Sequence, residues 1–302
     1  MKRWQRAVAG MLACLGLLVS AGAAEEREPE AYPARAYAFT GKVRRTYDSD
    51  SLIYTVESFR MDGVLCILSK IWVLDPEKQI HKATSTWKKN LRTPEALAKQ
   101  VPGAALVING SGYVSPTYPE IPDSYPGISK DYYYTPLGSL TVTDGEVLRN
   151  LEGVPYSGLT LEADGLRMYT GEENEAVLAR NPSQTWSFYE QCPMIRQGEV
   201  LTPGDWTFAG RNARRTVIAR MDRNNYLILT VTNDGGAGLS LYRVNEFFLE
   251  QFDAEWVYNL DGGPSSALLC RKKGKKTLVA AWKAGQKIVD IMAFTELLEE
   301  NN

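Results

Sequence analysis

Short apolar runs broken by turn residues dominate the chain from residue 41 onward. Runs of this length, bounded by Gly, Asn, Asp and Pro, predict β-strands. They are Leu52–Phe59, Val64–Leu74, Ala104–Ile108, Gly138–Thr143, Thr185–Tyr189, Thr216–Met221, Tyr226–Thr232, Trp256–Leu260, Ser266–Cys270 and Thr277–Ala281. Asp144-Gly145, Asp164-Gly165 and Asn224-Asn225 fit tight turns between them, because Asp, Asn and Gly tolerate positive φ. Two helices are expected. Thr93 caps one, with Pro94 at its first position and Glu95 at the positive dipole end. Ser240 caps the other, which runs to about Phe252 with Leu241, Val244, Phe247 and Phe248 on one face. Strands outnumber helices and do not alternate regularly with them. The pattern therefore predicts an α+β fold: a single domain with a large mixed, mainly antiparallel sheet and a few packed helices.

The first 24 residues do not belong to that pattern. Lys2, Arg3 and Arg6 precede an apolar run from Ala7 to Val19, followed by small residues Ala21 to Ala24 and then Glu25-Glu26. A basic head, a short apolar centre and an A-x-A ending mark residues 1–24 as a Sec signal peptide. The run is shorter than the roughly 20 residues that span a bilayer. Residues 25–40 read as a flexible lead-in, and 41–302 as the folded domain. The expected location is secreted or cell-envelope associated, with no stable membrane insertion after cleavage.

Charge and cysteine content narrow the function. The formal net charge is −2, and loss of three basic groups with the signal peptide makes it −5. A mildly acidic protein lacks the electrostatic footprint of a nucleic-acid binder. The one basic cluster, Arg271 to Lys276, lies between two apolar runs and reads as a solvated hairpin turn. Cys66, Cys192 and Cys270 remain after cleavage, an odd number with no C-x-x-C spacing. Cys66 sits in an apolar run as a small core residue. The single histidine, His81, excludes a His-rich zinc site and reads as a surface residue at a strand end.

Four stretches look chemical. Trp256–Leu260 runs straight into Asp261-Gly262-Gly263-Pro264-Ser265-Ser266, placing a carboxylate, two glycines and two hydroxyls at a strand end. Glycines let backbone N–H groups approach a ligand, and such an Asp suits a base, a nucleophile or a metal ligand. A plain hairpin turn fits the same spacing. Leu106–Asn109 likewise ends in Gly110-Ser111-Gly112-Tyr113. Arg214-Arg215-Thr216 enters a strand, and a guanidinium fork suits phosphate or carboxylate. Asn233-Asp234-Gly235-Gly236 leads into the helix at Ser240 and offers N–H groups to an anion, without the spacing of a nucleotide-binding loop.

In this order the four stretches resemble the phosphodiester glycosidase domain family, with its Asn-Gly turn, Arg-Thr, Asp-Gly and Asn-Leu-Asp-Gly-Gly followed by Ser-Ser. Thr135–Gly138, Cys192–Val200 and Val289–Met292 extend the resemblance over roughly residues 55–294. It implies an exported hydrolase cleaving the bond between a sugar's anomeric carbon and a phosphate, in cell-wall or exopolysaccharide material. Asp261 would be the acid, base or nucleophile, and Arg215 would hold the phosphate. Gly262 and Gly263 N–H groups and the Ser265 and Ser266 hydroxyls would aid Arg215. Asn109 would orient sugar hydroxyls or a water, and Thr216, Gly110 and Tyr113 would complete the substrate contacts. Asp234 is the first candidate for a second carboxylate, with Glu120 and Asp123 behind it. The oxygens of Asn109, Asp234 and Asp261 are also of the kind that holds a hard cation such as Ca²⁺; no motif requires a cofactor. Pro264, Ala267, Arg214 and Ser111 depart from the family's usual Gly, Thr, Pro and Gly. The Tyr- and Pro-rich stretch Tyr113–Pro136 reads either as a substrate wall or as a loop folded onto the sheet to cover it. The reading from a different class is a non-catalytic glycan-binding envelope protein that keeps the cavity without turnover.

Overall fold

The computed structural model describes residues 39–114, 132–271, 275 and 277–297. The expected signal peptide, most of the expected lead-in, most of the tyrosine-rich stretch, and Glu120 and Asp123 lie outside the described residues. Strands buried along their whole length form the centres of two main sheets. The larger has eight strands in the spatial order Lys42–Asp48, Leu52–Met61, Val64–Val73, Asn225–Val231, Arg215–Arg220, Trp256–Asn259, Pro193–Arg196 and Glu199–Val200. The smaller has five, in the order Leu278–Trp282, Leu268–Arg271, Ala104–Asn109, Asp290–Thr295 and Ile80–Thr84. A three-stranded sheet (Gln184–Trp186, Tyr156–Glu162, Gly165–Glu172) and the hairpin Leu140–Thr143/Glu146–Asn150 complete the strands. Every strand pair among the described residues is antiparallel, so the mixed component expected from the sequence is not seen there.

Alternation along each strand sorts the side chains into layers. Ile218, Tyr54 and Tyr258 of the large sheet share one core with Leu106, Ile108, Leu268 and Phe294 of the small sheet. The opposite face of the large sheet, through Val217, Leu227 and Leu229, packs on Val244, Phe247 and Phe248 of the helix Leu241–Gln251. The outer face of the small sheet, through Val107, Leu269 and Ile291, packs on Leu97 of the helix Pro94–Ala98. Both helices have the caps read from the sequence: Thr93 accepts from Ala96 N, and Ser240 accepts from Arg243 N at 3.2 Å. Asp144 and Gly145 both have positive φ, as a tight hairpin turn requires. Asn224-Asn225 turns differently: their backbone N–H groups donate to the Asp222 carboxylate, without positive φ. No helix among the described residues is long and apolar enough to cross a membrane.

Candidate active site

Asp261 stands where the chain passes from the large sheet to the small one. It follows the strand Trp256–Asn259 and precedes Leu268–Arg271. The end of Ala104–Asn109 holds it there. Asp261 N donates to Gly110 O at 3.1 Å, and Asp261 O accepts from Asn109 Nδ2 at 2.7 Å. Asn109 Oδ1 in turn accepts from Thr216 Oγ1 at 2.8 Å and from Ala267 N at 2.9 Å. Asn109 and Thr216 are thus buried brackets that tie three strand ends together. Neither is among the residues that line the cavity described below.

Gly110 is a glycine for lack of room. A Cβ there would lie 2.2 Å from Asp290 Oδ1 and 2.7 Å from Trp186 Cδ1. It shapes the strand end and does not line the cavity. Behind it lies a fully buried ion pair, with Lys82 Nζ 3.3 Å from Asp290 Oδ2. Lys82 also donates to Thr185 O at 2.6 Å, and Asp290 Oδ1 accepts from Ser111 N at 2.6 Å.

The loop after Asp261 spends the donors expected to face a ligand. Gly262 N donates to Asp261 Oδ1 at 2.8 Å, and Gly263 N donates to Arg214 O at 2.9 Å. Neither N–H is therefore left for a phosphate. Gly263 has φ of +56° and opens a single 3₁₀ turn, Gly263–Ser265, with Pro264 where an N–H would start unpaired. Ser265 hydrogen-bonds the Asp261 carboxyl and accepts from Gln286 Nε2 at 2.8 Å. Ser266 is fully buried with its hydroxyl unpartnered, and does not reach the cavity.

Asp261, Gly262, Gly263 and Arg215 face one cavity of about 500 Å³, together with Tyr113, Gln286 and an aromatic wall. Burial pushes the Asp261 carboxyl up to about 7; the Ser265 and Gly262 hydrogen bonds oppose that rise, and the nearby Asp290 charge adds to it. Arg215 is 1% exposed and is anchored through carbonyls: Nε donates to Leu239 O at 3.3 Å, and Nη2 to Phe208 O at 3.1 Å and Arg211 O at 2.7 Å. Its guanidinium lies 4.6 Å from the Phe208 ring centroid. No carboxylate pairs with it among the described residues, and burial lowers its pKa to about 10. An uncompensated buried cation is costly, so the position favours an incoming anion.

Asp234 is not brought to this cavity. Its half-exposed carboxylate pairs with Arg60 at 3.3 Å, on the turn that hydrogen-bonds Leu65. With Asp234 on the surface and Asn109 Oδ1 engaged by two donors, the three oxygens suggested for a hard cation do not converge. His81 is half-buried within the strand Ile80–Thr84, its Nε2 3.2 Å from Thr295 Oγ1, and takes no part in the site.

The phosphodiester glycosidase family model matches residues 102–292, a span holding every residue just placed at the cavity. The chain belongs to the phosphodiester glycosidase family. Its fold is similar to the zebrafish N-acetylglucosamine-1-phosphodiester alpha-N-acetylglucosaminidase catalytic domain auto-inhibited by pro-peptide. The TM-score is 0.59 at 16% identity, covering 86% of this chain and 85% of that one. A hypothetical protein from Synechocystis is similar with a TM-score of 0.52 at 13% identity, covering 86% of this chain and 64% of that one. No curated protein sequence matches the chain.

For a phosphodiester glycosidase, the residues missed from sequence are the aromatic ones. Phe188, Tyr189 and Phe208 line the cavity, with Phe188–Tyr189 centroids 4.4 Å apart and Tyr189–Phe208 centroids 5.2 Å apart. Phe188 and Tyr189 were legible only as a strand end. Trp206-Thr207-Phe208, just before the arginine run, was the available signal. Gln286 carried none.

Proposed function

We propose that this chain is an exported hydrolase of glycosyl phosphodiesters, acting on cell-wall or exopolysaccharide material. The observation that carries the reading is the presence of Asp261 and Arg215 in the lining of one cavity. An anionic phosphodiester docks on the guanidinium through Nη1, since Nε and Nη2 already donate to backbone carbonyls. The aromatic wall and Tyr113 suit the faces of a sugar ring. Phosphate is a good leaving group and needs little protonation, so the chemistry asks for an ionised Asp261. It either takes a proton from the attacking water or attacks the anomeric carbon itself. Asp261 is the one carboxylate among the described lining residues. Asn109, Thr216 and Gly110 serve as positioning residues.

Turnover of a methyl or aryl phosphodiester of an α-linked amino sugar, lost in Asp261→Asn, is the expected result. The glycan-binding alternative draws on the spent N–H groups of Gly262 and Gly263, which leave few donors for developing charge. It predicts that wild-type protein binds the same compound without turnover, and that Asp261→Asn binds it equally well.

A further inference from the structure

Arg211 and Arg215 line the cavity, Arg214 lies beside its lip at Pro264, and the scissile phosphate accounts for Arg215 alone. Arg211 lines the cavity and is exposed; its carbonyl is taken by Arg215, while its guanidinium bonds to nothing among the described residues. Arg214 is half-buried, and its carbonyl accepts from Gly263 N. Its guanidinium also makes no hydrogen bond or ion pair among the described residues. A Cβ on Gly285 would lie 3.6 Å from both Arg214 Nη atoms and 3.6 Å from Pro264 Cβ. Gly285 N donates to Pro264 O at 2.6 Å, so the Arg214 guanidinium rests against the lip made by these two residues. Burial without a counterion lowers the Arg214 pKa.

Several other arginines find carboxylates. Arg180 pairs with Glu162, Arg220 with Glu255 and Arg271 with Glu296. The cavity mouth is thus a local excess of cation on a chain of net charge −2, with Asp261 the only acidic lining residue described. Two guanidinium forks three positions apart in the chain suit a dianionic, multi-oxygen group better than a single carboxylate.

We propose that Arg211 and Arg214 form a second anion subsite at the mouth, which takes a further phosphate on the aglycone side, so that the preferred substrate is a polyanionic glycosyl phosphodiester. This rests on the sugar–phosphate reading above. A chain leaving the cavity past Pro264 and Gln286 meets Arg214 first.

Three compounds sharing one sugar and one scissile phosphodiester test it, their aglycones ending in a hydroxyl, a carboxylate or a phosphate. Wild-type KM is expected to be about tenfold lower for the phosphate-ended compound, a difference of about 1.4 kcal/mol. In R214A, and more so in R211A/R214A, that KM rises to the value for the hydroxyl-ended compound. Calorimetric binding of the three to D261N reads the same preference without turnover, so an inactive wild type sinks the hydrolase reading and still tests the subsite. Equal KM and equal binding for all three overturn the subsite while leaving hydrolysis standing. A preference for the carboxylate overturns the phosphate assignment. A uniform fall in kcat on all three in R214A also overturns the proposal, since the side chain then only supports the lip.

Discussion

A carboxyl that ionises near pH 4 in the unfolded chain and near pH 7 in the folded one makes the protein less stable as pH rises. For Asp261 the folded value is the higher, so between these limits the native state holds a proton that the unfolded state has released. Stability contributed by the neutral form is present below about pH 4 and is lost through about pH 7, a span of about 4 kcal/mol. Asp261→Asn cannot ionise, so its melting temperature is expected to exceed wild type at pH 8 and to converge on it near pH 4. Calorimetric scans across that range check this, and parallel curves would contradict it. Activity runs the other way, because the reaction needs the carboxylate: kcat/KM rises about tenfold per pH unit below 7 and levels above it. Arg215 makes the complementary prediction. Inorganic phosphate should raise the wild-type melting temperature by binding the native state. Arg215→Lys, which keeps charge but cannot hold the Leu239, Phe208 and Arg211 carbonyls and an anion together, should give a much smaller rise and a KM at least tenfold higher.

At the scale of elements, the site depends on how firmly the end of Ala104–Asn109 is held. Lys82 on Ile80–Thr84 and Asp290 on Asp290–Thr295 pair behind it, both with fully buried side chains. Lys82→Met would strand a buried carboxylate and is expected to cost about 3–5 kcal/mol in a denaturant titration. The double change Lys82→Met/Asp290→Leu should recover most of that; failure to recover would mean that the Ser111 contact, not the ion pair, carries the stability. The same elements mark where sequence reading stopped. Ten strands and both capped helices were legible because their apolar alternation is local. Ile80–Thr84 was not, since its Lys82 is buried only by virtue of a partner 208 positions away. Tyr156–Glu162 was hidden by Gly158, which is small because a Cβ would lie 2.6 Å from Trp186 O. Asn109 looked ligand-facing for the same reason: Thr216 and Ala267, which take its carbonyl oxygen, are 107 and 158 residues distant. Asp234 matched the family's order of motifs, yet order along the chain does not say which way a carboxylate points, and this one meets Arg60.

For the whole molecule, the proposed export and the thiol chemistry make a joint demand. A protein released into an oxidising compartment must either pair its cysteines or hide them. Here Cys66, Cys192 and Cys270 are all buried. Burial pushes the Cys66 and Cys192 thiols up to about 12, which keeps them protonated and slow to oxidise. The fold is therefore expected to be indifferent to redox conditions, with the same melting temperature with and without dithiothreitol. Full-length protein expressed in a Gram-negative host should then accumulate outside the cytoplasm, with an intact mass corresponding to a chain beginning at Glu25 and three titratable thiols after denaturation. A chain that stays in the cytoplasm with Met1 retained would remove the export proposal. A melting temperature lowered by reductant would show a disulfide that the buried thiols do not allow.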